Sequence, residues 1–145
     1  MRSFAPYLLG LLGATTASFA YVGPAASEVV SLTEDTFEDF MEEHDLVLAN
    51  FYAPWCRYSR MLAPNFAEAA TELKNDNIPL VNVDCTWEED LCAEYDISAY
   101  PTLMVFRGPG LHKPYGGGRQ TDSIISYMIH ESTFTEPRSG LRVQN

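Results

Sequence analysis

The apolar positions along the chain fall into two rhythms. Leu46 to Ala53 (LVLANFYA) is apolar at nearly every step, which predicts a central strand buried on both faces. Ile78–Val83 and Thr102–Phe106 read as further core strands, and Val29–Leu32 as a short first one. Between them the spacing is helical. Phe37, Phe40 and Met41 recur at i, i+3 and i+4 behind Thr33, a capping residue followed by acidic side chains. Leu62, Phe66, Ala69, Ala70 and Leu73 form one stripe, and Pro64 inside it is expected to kink the helix in its first turns. An acidic helical segment is expected from Trp87 to Tyr95. Pro109-Gly110 marks a turn, and Tyr115 is expected to begin an edge strand ending at Gly116-Gly117-Gly118. Ile124, Ile125, Met128 and Ile129 supply the apolar face of a closing helix. Strand and helix alternate, then a strand pair precedes the last helix. That order predicts an α/β domain with a central mixed β-sheet flanked by helices on both faces.

The two ends differ from this pattern. Arg2, the apolar stretch from Phe4 to Leu12 and the small residues from Ala14 to Ala20 make a charged, apolar and small-residue series, so residues 1–20 are expected to be a removable signal peptide. The apolar run is too short for a membrane anchor. Residues 132–145 lose all periodicity and are expected to form an irregular tail. A secreted chain sees an oxidising lumen, in which disulfides persist. The final Arg-Val-Gln-Asn is not a retrieval signal, so the expected localisation is the endoplasmic reticulum lumen or outside the cell.

Composition narrows the function. The 145 residues suffice for one domain. Nine Lys+Arg against twenty Asp+Glu give a net charge of −11, which argues against nucleic acid or an anionic membrane as partner. Three cysteines are too few for a disulfide-built scaffold, and His44, His112 and His130 are scattered, so neither a metal nor another cofactor is expected.

The sharpest chemical feature is Ala53-Pro54-Trp55-Cys56-Arg57-Tyr58-Ser59-Arg60, at the junction of a central strand and a helix. A cysteine there meets unpaired N–H groups and the positive end of the helix dipole, both of which favour thiolate over thiol. Arg57 and Arg60 are expected to push the same way.

This octapeptide resembles the active-site segment of the thioredoxin superfamily, and above all an a-type domain of a fungal-like protein disulfide isomerase, whose pattern is APWCGHCK. LVLANFYAPWC, MLAPNFAEAATEL, VNVDCTWEEDLC, YPTLMVFRG and Gly118-Arg119 look like successive segments of such a domain, so the resemblance covers about residues 28–131. It implies a thioredoxin-like fold and thiol–disulfide exchange with Cys56 as nucleophile. It further implies a cis-proline loop at Tyr100-Pro101 beside that cysteine, and a client platform made of Trp55, Tyr58, Tyr100 and Pro101. Arg119 matches the mobile arginine that modulates thiol acidity in these isomerases. Cys85 and Cys92 match a local structural disulfide; a second redox pair is the alternative, and two thiols without a convergent histidine speak against a metal.

Three departures qualify the resemblance. Ser59 stands where the family has its resolving cysteine, leaving a CxxS motif that cannot close an internal disulfide. Asn50 replaces the buried carboxylate read as proton acceptor for that second thiol, and Tyr58 replaces a histidine that would stabilise the thiolate. Cys56 is therefore expected to be less acidic than in a full isomerase. Two functions remain in view: thiol–disulfide isomerisation through one cysteine, at reduced activity, and a redox-inactive chaperone or client-binding module. In either case the expected partners are unfolded or misfolded secretory proteins with cysteines, with glutathione as the small-thiol partner.

Overall fold

The computed structural model describes residues 27–108 and 110–134. The leader expected at 1–20 and the tail beyond residue 134 lie outside the described residues. The elements are β1 (Val30–Ser31), α1 (Glu34–Glu43), β2 (Val47–Tyr52), α2 (Arg57–Leu73), β3 (Leu80–Asp84), α3 (Glu89–Glu94), β4 (Thr102–Phe106), β5 (His112–Pro114) and α4 (Thr121–Thr133). They build one sheet in the order β1-β3-β2-β4-β5. β1, β3 and β2 run parallel, while β4 and β5 are antiparallel to their neighbours.

β2 is apolar at nearly every position because it lies at the centre and both faces are covered. Val47, Ala49 and Phe51 pack with Phe37 and Met41 of α1 and Leu91 of α3. Leu48 points the other way, onto Leu62 and Phe66 of α2 and Ile124 and Met128 of α4. This alternation places Asn50 on the α2–α4 face, opposite Asn82 in the β2–β3 register. Pro64 does not end α2, which runs through it from Arg57 to Leu73.

Loop chemistry fixes where the helices start. The Thr36 hydroxyl accepts the backbone N–H of Thr33 at 3.0 Å, and the Glu88 carboxylate accepts that of Glu34 at 2.9 Å. An anion at this helix N-terminus satisfies an open donor and meets the dipole favourably. The far end of α4 is tied to the β4–β5 hairpin by Glu131, whose carboxylate pairs with Arg107 at 3.0 Å and Lys113 at 2.8 Å.

Two boundaries differ from the sequence expectation. The edge strand is His112–Pro114 and precedes Tyr115, whose ring instead packs on Tyr127 and whose hydroxyl donates to the Gly118 carbonyl at 2.7 Å. The closing helix continues to Thr133, past the point where periodicity fades.

Candidate functional site

Because β2 and β3 are parallel and β4 is antiparallel to β2, the C-terminal ends of β2 and β3 meet the start of β4 at one end of the sheet. The three connections there carry Cys56, Cys85–Cys92 and Tyr100-Pro101. Cys56 is the N-cap of α2. Its N–H bonds the Ala53 carbonyl at 3.0 Å, and its own carbonyl accepts the Arg60 N–H at 3.1 Å, so the turn out of β2 closes directly into the helix.

The Cys56 thiol is half-buried. Its acidity is increased first by the Ser59 backbone N–H, then, against the opposing effect of desolvation, by the Tyr58 N–H, the Ser59 hydroxyl and the Arg60 charge. The open N–H groups of the first helical turn outweigh the charges around them, as a helix N-terminus should. Of the two arginines beside it, Arg60, one helical turn on, adds its charge to the effect on the sulfur. In its neutral form the thiol donates to the Tyr100 carbonyl at 3.4 Å. Ionisation gives up that bond, so the carbonyl holds back part of what the helix N-terminus favours.

Ser59 has lost the chemistry of a second thiol but keeps a structural task. It is buried, and its Oγ accepts the Ala53 N–H at 3.4 Å, bracing the turn that presents Cys56. Asn50 is 4% exposed. Its Nδ2 donates to Asn82 Oδ1 at 2.9 Å, while its Oδ1 has no hydrogen-bond partner among the described residues. The pair carries no titratable proton.

The Tyr100–Pro101 peptide bond is cis. Tyr100 packs edge-on against Trp55 with ring centroids 6.0 Å apart. Trp55 is 67% exposed, Tyr58 is 62% exposed and Met61 is also exposed, while Pro101 is buried. The Arg119 guanidinium donates to the Pro101 carbonyl at 3.3 Å, and Asn65 of α2 holds the Arg119 carbonyl at 3.1 Å. Cys56 and Arg119 thus contact the carbonyls of two successive residues of one loop. Cys85 and Cys92 are joined in a disulfide, both buried, on the connection after β3. The candidate catalytic and client-facing residues therefore lie at this end of the sheet, with Asn50 set further back within β2.

Sequence reasoning passed over Trp87. It is 83% exposed within the Cys85–Cys92 loop, followed by Glu88, Glu89 and Asp90. Its signal was available: a tryptophan inside an acidic stretch has no apolar neighbour to pack on. Among the described residues there is no group of three His, Cys, Asp or Glu placed to hold a metal ion. Nor is any helix among them long and apolar enough to cross a membrane. A cavity of about 360 Å³ lined in part by Arg107, Lys113 and Glu131 lies past the other end of β4, away from Cys56.

Comparison with known proteins agrees with this arrangement. The thioredoxin family profile matches residues 28–130. The chain is 59% identical over 132 residues to a protein disulfide-isomerase of Aspergillus niger, covering 91% of this chain and 25% of that protein. It is 57% identical over 134 residues to a protein disulfide-isomerase of Aspergillus oryzae, covering 91% of this chain and 26% of that one. The chain thus spans about a quarter of the length of these curated relatives. Human ERp44 in its zinc-bound form superposes with a TM-score of 0.67 at 34% identity, over 71% of this chain and 31% of that one. The first thioredoxin domain of mouse protein disulfide-isomerase A4 gives 0.68 at 27% identity, over 94% and 96% of the two chains. The chain belongs to the thioredoxin family and, within it, groups with the fungal protein disulfide-isomerases.

Proposed function

We propose that this chain performs protein disulfide isomerase-type thiol–disulfide exchange on folding secretory proteins through Cys56 alone. The carrying observation is a thiol made more acidic at the α2 N-terminus and set against the Tyr100-Pro101 loop. The Cys56 thiolate attacks one sulfur of a client disulfide. A Cys56–client bond forms, the client S–S bond breaks, and the departing client thiolate takes a proton from water. With Ser59 in place of a second thiol, release requires an outside thiolate, from the client itself or from glutathione. That thiolate attacks the client-side sulfur and expels Cys56 as thiolate. When the client's own thiolate resolves the adduct, its disulfide count is unchanged and the outcome is isomerisation; when glutathione does so, the client leaves as a glutathione mixed disulfide with its other sulfur reduced.

In this reading Trp55, Tyr58 and Tyr100 form the apolar platform for the client, buried Pro101 shapes the loop behind it, Arg119 steadies that loop beside the sulfur, and the Cys85–Cys92 bridge is structural. Residues 1–20 deliver the chain to the endoplasmic reticulum lumen, and the working domain runs from residue 28 to the end of α4 at Thr133. The second reading is a redox-inactive client-binding module, favoured by the exposure of Trp55 and Tyr58.

The deciding experiment offers the purified chain a peptide carrying a glutathione mixed disulfide and follows the Cys56 adduct by intact mass. A second thiol peptide is then added. Capture followed by release supports the one-cysteine isomerase, and capture without release makes the protein a trap. Absence of capture with peptide binding intact establishes the second reading.

A further inference from the structure

The chain is strongly acidic, yet its described cations are not spread evenly. Lys74, Arg107 and Lys113 are each held in an ion pair with a glutamate. The other three described cations, Arg57, Arg60 and Arg119, have no carboxylate within ion-pair distance among the described residues, and all three lie around Cys56 or Pro101. Across the same end of the sheet the sign reverses. The connection after β3 presents exposed Glu89 and Asp90 next to Trp87, and neither carboxylate is in an ion pair with a described cation.

Strand order turns this into a gradient. β2 lies between β3 and β4, so Cys56 sits between an acidic shoulder after β3 and a basic shoulder where Arg119 meets the start of β4. Two strand spacings are about 10 Å, the length of about three residues of extended chain. A client segment lying across the strand ends with its sulfur at Cys56 therefore places residues within about two positions of its cysteine over the opposite shoulders. Surface charges of this kind orient and select partners more than they tighten binding.

We propose that the rim around Cys56 selects client cysteines by local charge order. The preferred segment carries a basic residue on the flank over Glu89 and Asp90 and an acidic residue on the flank over Arg119. The reversed order meets like charge at both shoulders. This rests on the reading of Cys56 as the client-capturing thiol.

The test uses two peptides of identical composition, each with one cysteine activated as a neutral pyridyl disulfide. One runs Lys-Lys-Gly-Cys-Gly-Asp-Asp and the other reverses the charges. Cys56 thiolate attacks the peptide sulfur and expels thiopyridone, which is read by absorbance while the adduct is read by mass. At low ionic strength one order should be captured about fivefold faster than the other, the scale of two exposed charge pairs made or opposed. The preference should fall below about twofold in 0.5 M salt, where screening acts within a few ångströms. It should also shrink in Arg119→Gln and in the double variant Glu89→Gln/Asp90→Asn. Equal capture at low salt, or a preference that both variants leave intact, overturns the proposal. Failure to capture either peptide refutes the single-cysteine reading instead. The charge order is then decided by equilibrium binding of the same peptides to Cys56→Ala, where equal affinities overturn it and unequal affinities uphold it.

Discussion

Asn50→Asp exchanges an amide for a carboxyl group of nearly the same shape, 4% exposed on the central strand. The new group inherits one neighbour, Asn82, at 2.9 Å, and an oxygen that already has no partner. No cation is hydrogen-bonded to either asparagine among the described residues. Desolvation therefore governs, and burial of this depth raises a carboxyl pKa by about 3. At 1.36 kcal/mol for each unit, the ionised form costs the folded state about 4 kcal/mol. The sign follows from proton uptake. The folded state holds the proton of the introduced carboxyl more tightly than the unfolded chain does. The penalty is absent below about pH 4, the unfolded reference, grows as pH rises, and levels off near pH 7. Below pH 4 the neutral acid can still donate to Asn82 Oδ1, so the variant should nearly match the parent. Urea unfolding of both proteins from pH 3.5 to 8 measures this directly. The gap should widen by about 1.4 kcal/mol for each pH unit between those limits. A gap that stays constant across the range would mean that the site is hydrated, and the desolvation argument for this position would be wrong.

Ser59→Cys should bring a second thiol to the buried position beneath Cys56 and allow an internal disulfide under oxidising glutathione, formed slowly because Asn50 relays no proton; intact mass with and without alkylation reads the loss of two hydrogens. Replacing Cys85 and Cys92 by serine should lower stability by about 2.5 kcal/mol through the lost loop constraint, with the Cys56 alkylation rate unchanged; a change in that rate would show that the bridge also shapes the thiol. Glu131→Gln should cost about 2 kcal/mol at pH 7, because Arg107 and Lys113 lose the carboxylate that ties α4 to the hairpin. Burial works to raise the Glu131 pKa, but the Lys113 and Arg107 donors and charges overcome it and hold it low. That contribution is present above the unfolded carboxyl value and is lost as pH falls through the folded one, so parent and variant should converge once pH drops well below the ordinary carboxyl range in a denaturant titration.

The parts of the fold that were legible in the sequence are those decided locally. LVLANFYA could only be a strand covered on both sides, and the Phe37, Phe40 and Met41 spacing could only face a core. The edge strand differs from the expectation because Tyr115 has high strand propensity, whereas the pairing is set by the antiparallel hairpin register of Met104 with Pro114 and Phe106 with His112, which the propensity of a single residue does not report. The same limit applies at the site. The octapeptide announced Cys56, but the Asn50–Asn82 pair follows from strand register, and the brace from Ser59 to the Ala53 N–H from how the turn closes. Arg57 and Arg60 look equivalent in sequence. Only the helix geometry makes Arg60, one turn on from Cys56, the charge that reaches the sulfur.

The two outer strands leave little open edge for another chain to pair with. β1 is two residues long, and β5 is three residues long and ends in Pro114, which has no N–H to offer. Long open edges are templates for strand addition, the route by which sticky polypeptides polymerise onto a folded surface. With both borders this short, a client has no ladder to extend. Under the proposed function, a guest captured at Cys56 gains no second hold from an edge strand, so once a competing thiol cuts the sulfur–sulfur bond only the side-chain contacts around Trp55 and Tyr58 keep it in place.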